Sequence, residues 1–188
     1  SKIKALILAA GYATRLYPLT ENQPKPLLKV AGIPIVEHIL KKLEKLDTIN
    51  EIIIVTNNKF YGHFMVWLND YSCSKNVKVI NDGTISNDDR LGAVGDINYI
   101  LKNQEINDDL LVIAGDNLFG FEINNFLNHF QQKNSSLVAL HDLKDKEKIK
   151  NKFGVAILCD QLSKVIDFEE KPAEPKSTLA ATACYIFH

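Results

Sequence analysis

A chain of 188 residues with 46% hydrophobic content can bury a core of its own, since domains run roughly 100 to 200 residues. Its 22 basic and 23 acidic residues nearly cancel, so no global field draws it to nucleic acid or an anionic membrane, and attraction for a phosphorylated ligand must be local. Cys73, Cys159 and Cys184 are an odd, widely spaced set without a Cys-x-x-Cys pair, which excludes a disulfide framework and fits a reducing cytoplasm. No apolar run approaches the roughly 18 residues of a membrane span and no signal-like start is present, so a cytoplasmic location is expected.

The elements follow in chain order. Lys2 to Leu8 is short and apolar and ends at a glycine-containing loop, which reads as a buried strand. Pro34 to Leu46 places Val36, Ile39, Leu40, Leu43 and Leu46 at helical spacing, with Pro34 suited to a first turn. Glu51 to Thr56 reads as a second buried strand, Phe60 to Tyr71 as an aromatic-rich helix, and Val77 to Ile80 as a third strand. Leu91 to Leu101 reads as a helix, Asp109 to Ala114 as a fourth strand, and Ile123 to Phe130 as a further amphipathic helix. Such alternation implies an α/β fold with a mostly parallel sheet and helices on both faces. Beyond His141 the rhythm changes. Asp142 to Lys152 is a charged, solvated helix or loop, and Phe153 to Leu158, Lys164 to Glu169 and Ala180 to Phe187 are strand-like runs without long helices between them. The second half is therefore expected to add antiparallel or mixed strands to a single domain over residues 1–188.

The segment from Ala9 to Leu27, AAGYATRLYPLTENQPKPL, follows the first strand and reads as neither helix nor sheet. In an open parallel sheet this loop lies at the ligand crevice, and backbone amides beside Gly11 can approach a phosphate with no Cβ in the way. Arg15 offers a planar fork of donors to phosphate oxygens, while Lys25 offers a compact point charge. Pro18, Pro24 and Pro26 restrict the chain between and around the two cations. Neither G-x-x-x-x-G-K-[ST] nor G-x-G-x-x-G is present, and a surface loop with incidental charges stays open on spacing alone. The five histidines form no spaced ligand set, with His38 and His129 on predicted helices. Trp67, among Phe60, Tyr61, Phe64 and Met65, reads as core rather than as a stacking platform.

The run LAAGYATRLYPLTENQPKPLLKVAGIPIVEHIL resembles the signature of the nucleotide-sugar pyrophosphorylases, the sugar-1-phosphate nucleotidyltransferases typified by glucose-1-phosphate thymidylyltransferase: G-x-G-T-R-L-x-P-L-T followed by P-K-P. It departs at Ala13, where the family usually has a second glycine, which implies a looser backbone contact there. RLGAVGDI is similar to the family's L-G-T-A-G-A, AGDN to its strand-ending G-D, FGVAIL to its Y-G-V, and VIDFEEKPAEPKS to its E-K-P. The resemblance implies a Rossmann-like fold and attack by a sugar-1-phosphate oxygen on the α-phosphorus of a nucleoside triphosphate, expelling pyrophosphate. It also implies that Arg15 holds the departing β- and γ-phosphates, that Lys25 bridges the α-phosphate and the incoming sugar phosphate, and that Asp116 binds Mg²⁺. Ala10, Gly11, Asn81 and Gly92 are implied around the nucleotide, and Gly154, Glu170 and Lys171 around the sugar phosphate.

A pyrimidine triphosphate is favoured, dTTP or UTP before CTP. Ala93 replaces a usual threonine, and Ala183 stands where many members have glycine, so base and sugar stay open. A choline-phosphate cytidylyltransferase, a non-catalytic nucleotide-sugar-binding relative and a glycosyltransferase are the rivals. The E-K-P block, the retained Arg15, Lys25 and Asp116, and the lack of a D-x-D motif weigh against them in turn. No nucleic-acid or membrane partner is expected, and a homo-oligomer is an option because family members are often oligomers. The family usually continues past the point where this sequence stops and supplies a second metal-binding aspartate from that continuation. The expectation is therefore a C-terminally truncated domain, poor in turnover, with Asp116 alone on the protein side of the metal.

Overall fold

A computed structural model describes residues 2–106 and 108–116, the backbones of strands 137–142, 155–159, 164–169 and 179–187, and residues 173–174. The chain forms two compact units, one of Ser1–Ser136 with Ile186–His188 and one of Leu137–Tyr185. In the first unit, β1 (Ile3–Leu8) runs into the long loop, which contains two short 3₁₀ turns, Thr14–Leu16 and Lys25–Leu27. A minimal hairpin follows, β2 (Lys29–Val30) paired antiparallel with β3 (Ile33–Pro34). Then come α1 (Ile35–Glu44), β4 (Ile49–Thr56), α2 (Tyr61–Asp70), β5 (Asn76–Asn81), α3 (Gly92–Asn103) and β6 (Asp109–Ala114). The loop thus holds more local structure than its sequence suggests. The hairpin is enabled by Ala31 and Gly32, both at positive φ, 52° and 82°, the backbone state its two-residue turn demands.

The strand order is β5-β4-β1-β6, and each neighbouring pair is parallel. Ala5, Leu6 and Ile7 are all fully buried; because successive strand residues point to opposite faces, both faces of the sheet are covered at β1. Ile52–Val55 and Leu110–Ile113 are buried in the same way, which is why these strands read as unbroken apolar runs. Against this core α1 presents Ile35, Val36, Ile39, Leu40 and Leu43, the i, i+3, i+4 stripe of an amphipathic helix. Phe60 and Phe64 are buried, whereas Trp67 is half-buried: its Nε1 donates to Glu37 Oε1 at 2.9 Å and its ring stacks on Tyr71. Trp67 therefore ties α2 to α1 at the margin of the core rather than within it.

The second unit carries the added strands. β7 (Leu137–Asp142) pairs with β10 (Leu179–Phe187). β8 (Val155–Cys159) lies antiparallel to both β9 (Lys164–Glu169) and β10. The switch from parallel to antiparallel pairing matches the loss of helix-length spacers in the sequence. The helix expected over residues 123–130 and the charged segment after Asp142 lie outside the described residues.

Candidate active site

The chain steps outward from β1 to β4 to β5 and then returns across β1 to β6. That reversal places a topological switch point at the carboxyl ends of β1 and β6, where open α/β sheets bind ligands. The sheet ladder continues just past both ends: Ala9 N donates to Val55 O and Gly115 N donates to Leu8 O, each at 2.8 Å.

The first loop is anchored from beneath by neutral side chains. Asn57, fully buried at the end of β4, donates from Nδ2 to Ala10 O at 2.9 Å, and its Oδ1 accepts from Phe60 N at 2.9 Å. Ala13 adopts a left-handed backbone, φ 47° and ψ 46°, and the buried Thr20 hydroxyl donates to its carbonyl at 2.7 Å. The looser contact expected at Ala13 is thus answered by a clamp: the alanine keeps a conformation that suits glycine. Arg15 sits on the Thr14–Leu16 turn and is exposed. Gly11 is exposed, and a Cβ added there would meet nothing within 4 Å, so the loop is open to a ligand at that point.

Lys25 opens the second 3₁₀ turn, whose Pro26 and Leu27 are buried. Asp116 follows β6 directly after Gly115. Lys25 Nζ meets Asp116 Oδ2 at 2.6 Å, the short contact of a charge-assisted hydrogen bond. Glycine at 115 makes this approach feasible, because a Cβ there would lie 2.7 Å from Leu8 O and 3.0 Å from Pro26 Cγ. The two side chains remain 37% and 40% exposed, so a ligand can reach both. The structure therefore joins two residues that the sequence separates by 91 positions.

On the other side of β1, Asn81 ends β5. Its Nδ2 donates to Asn58 Oδ1 at 2.9 Å and its Oδ1 accepts from Gly83 N at 2.8 Å, so the amide braces the loop. Gly92 opens α3 at φ 75°, the left-handed region that favours glycine. Beneath these residues lies a cluster that sequence reasoning did not single out: Tyr12, Asp82, Thr84 and Asp96, all buried. Its available signal was Asp96, which stands where the L-G-T-A-G-A motif closes with alanine. Asn57 was equally hidden, although an asparagine between a strand and a helix is a familiar capping residue. Gly154, Glu170 and Lys171 lie outside the described residues. Among the described residues no group of three or more His, Cys, Asp or Glu side chains is placed to hold a metal ion, and no helix is long and apolar enough to cross a membrane.

The comparisons with known proteins agree with this fold. The family model described as nucleotidyl transferase matches residues 4–188. The bifunctional protein GlmU of Methanocaldococcus jannaschii is 34% identical over 184 residues, which cover 97% of this chain and 39% of that protein. A Sulfolobus acidocaldarius protein named for mannose-1-phosphate guanyltransferase activity is 29% identical over 98% of this chain and 48% of its own length. The chain thus spans less than half of these relatives. A crystal structure from Bacillus anthracis, assigned as a glucose-1-phosphate thymidylyltransferase, superposes with a TM-score of 0.75 at 31% identity, covering 98% of this chain and 71% of that one. Fold, switch-point loop and sequence converge: the chain belongs to the nucleotidyl transferase family.

Proposed function

We propose that this chain carries the catalytic site of a sugar-1-phosphate nucleotidyltransferase, transferring a nucleotidyl group from a nucleoside triphosphate to a sugar-1-phosphate and releasing pyrophosphate. The observation that carries this reading is the exposed Lys25–Asp116 pair at the switch point. The reaction brings two polyanions together, so catalysis is chiefly positioning and charge neutralisation. In this reading Lys25 is pre-positioned by Asp116 and turns its ammonium to the α-phosphate and the incoming sugar phosphate, while Arg15 holds the β- and γ-phosphates. Ala10, Gly11, Asn81 and Gly92 surround the nucleoside, and Gly154, Glu170 and Lys171 receive the sugar phosphate. A pyrimidine triphosphate, dTTP or UTP, is the favoured donor. The expected setting is cytoplasmic.

Asp116 fits Mg²⁺ of the kind that arrives with a triphosphate. A single accessible carboxylate at the sheet edge suits an ion that takes one or two carboxylates and completes its shell with phosphate oxygens and water. Among the described residues it joins no group able to form an all-protein cage. Neutralisation of phosphate charge is what the bound ion supplies. Asp116 then has two tasks, holding Lys25 and offering an oxygen to the metal.

The test is pyrophosphate release across dTTP, UTP, CTP, GTP and ATP, each paired with a panel of sugar-1-phosphates; GTP is included because one relative is named as a guanyltransferase. The reading predicts release that requires both substrates. Glycosyl transfer with no pyrophosphate, or turnover with phosphocholine in place of a sugar phosphate, would overturn it.

A further inference from the structure

Under the proposed nucleotide site, a run of buried hydrogen bonds links the first loop to the loop after β5. Thr84 Oγ1 donates to Asp82 Oδ1 at 2.7 Å, and Thr84 N donates to the same oxygen at 2.9 Å. With its proton committed to Asp82, Thr84 Oγ1 can only accept from the Tyr12 hydroxyl, 3.3 Å away. Asp96, in the first turns of α3, faces Asp82 within hydrogen-bonding reach. Both aspartates are more than nine-tenths buried, at 8% and 5% exposure, and Asp82 Oδ2 and Asp96 Oδ1 receive no hydrogen bond from an N–H or O–H group among the described residues. Two carboxylates cannot donate to each other, so the arrangement lacks one hydrogen atom. An acid pair in a dry site retains a proton.

We propose that Asp82 and Asp96 share one proton and that the resulting bond is a positioning strut, holding the first turns of α3 against the β5 loop and the first loop so that the nucleotide site is formed. Tyr12 adjoins Gly11, Asp82 adjoins Asn81, and Asp96 lies one turn past Gly92, so the strut joins the three segments assigned to the nucleotide. The ligand in this statement rests on the nucleotidyltransferase reading. Asp96 and Asp82 touch no reacting atom and act through the loops they fasten.

The electrostatics agree. Burial, a hydrogen bond with Asp82 and the Asp82 charge push the Asp96 carboxyl from an ordinary 3.8 up to about 8. Among the described residues, Tyr12 of the first loop reaches the pair through Thr84, and Asp89 of the β5 loop acts on Tyr12. Burial raises Tyr12, helped by the charges of Asp89, Asp82 and Asp96. Backbone donors at Ile85 and Ser86 hold Asp89 low. The Asp82 charge itself raises Asp96, so loss of the shared proton leaves two buried charges in repulsion. An acid raised in the folded state binds its proton more tightly when folded. Its contribution to stability is full below about 3.8 and is lost as pH rises through about 8.

The experiment follows amide hydrogen exchange at residues 91–95 and the Kd of UTP and dTTP from about pH 6.5 to about pH 9, in the wild-type chain, Asp96→Asn and Asp96→Ala. Above the upper titration only the proton-sharing fraction is competent, so wild-type Kd should rise roughly tenfold per pH unit while residues 91–95 lose protection. Asp96→Asn donates to Asp82 without titrating and should be flat in both readouts; Asp96→Ala should be weak and unprotected at every pH. Superimposable pH profiles for wild type and Asp96→Asn, or wild-type behaviour in Asp96→Ala, would overturn the strut. If exchange follows Asp96 as stated but none of UTP, dTTP, CTP, GTP and ATP binds at any pH, the strut stands and the nucleotidyltransferase reading falls.

Discussion

Ala13 shows how one residue can be visible in a sequence while its consequence is not. Its place in the loop motif marks a departure from glycine, but the left-handed backbone at φ 47° and the Thr20 clamp on its carbonyl are tertiary facts. An L-residue in this region is strained by about 1–2 kcal/mol, and glycine offsets part of that gain through its greater unfolded-state freedom. Ala13→Gly should therefore raise stability by roughly 0.5 to 1 kcal/mol, measured by urea denaturation with an unchanged m-value. A destabilised variant would mean that the alanine methyl makes a contact worth more than the strain. Arg15 and Lys25 could be singled out in the sequence, because two cations in a proline-stiffened loop after a buried strand suit phosphate, but the contact of Lys25 with Asp116 could not. The cluster of Tyr12, Asp82, Thr84 and Asp96 was not legible from local pattern. A buried acid has the same one-letter appearance as a solvated one, and only the packing of three segments distinguishes them.

Elements fared differently according to what defines them. β1, β4 and β6 were readable because strands buried on both faces are continuous apolar runs, and the range Asp109–Ala114 is reproduced in the fold. The β2–β3 hairpin escaped notice because each strand is two residues long, too short for any periodicity. The Lys25–Leu27 turn matters most for the site, and it is seated by its neighbour across the crevice, Gly115. A methyl group at 115 would lie 2.7 Å from Leu8 O, a backbone atom that cannot swing aside, so the turn or the strand end must move. Gly115→Ala should cost about 1–3 kcal/mol of stability as an overpacked contact. It should also lower kcat by more than the folded fraction explains, since a misplacement of about 1 Å near the chemistry is worth up to ~10²-fold. Thermal melts and steady-state assays on the same preparation separate the two effects. A stable variant with wild-type kcat would show that the turn is positioned by something other than this contact.

At the scale of the whole molecule, function follows from strand order. With β1 flanked by β4 on one side and β6 on the other, the loop after β1 reaches both the β5 side and the β6 side of the sheet. It places Tyr12 towards Thr84 and Lys25 against Asp116. The sequence implied parallel strands but not their order, and order is what converts two distant residues into an ion pair. In the proposed function this pair is the charge centre of nucleotidyl transfer. The most direct measurement is a side-by-side comparison of Lys25→Ala and wild type for kcat, for triphosphate Kd by calorimetry and for melting temperature. In Lys25→Ala, kcat should fall by about 10²- to 10³-fold, with triphosphate binding partly retained and little change in melting temperature, because a half-exposed ion pair contributes little to folding. A Lys25→Ala variant that turns over at a near-wild-type rate would contradict it.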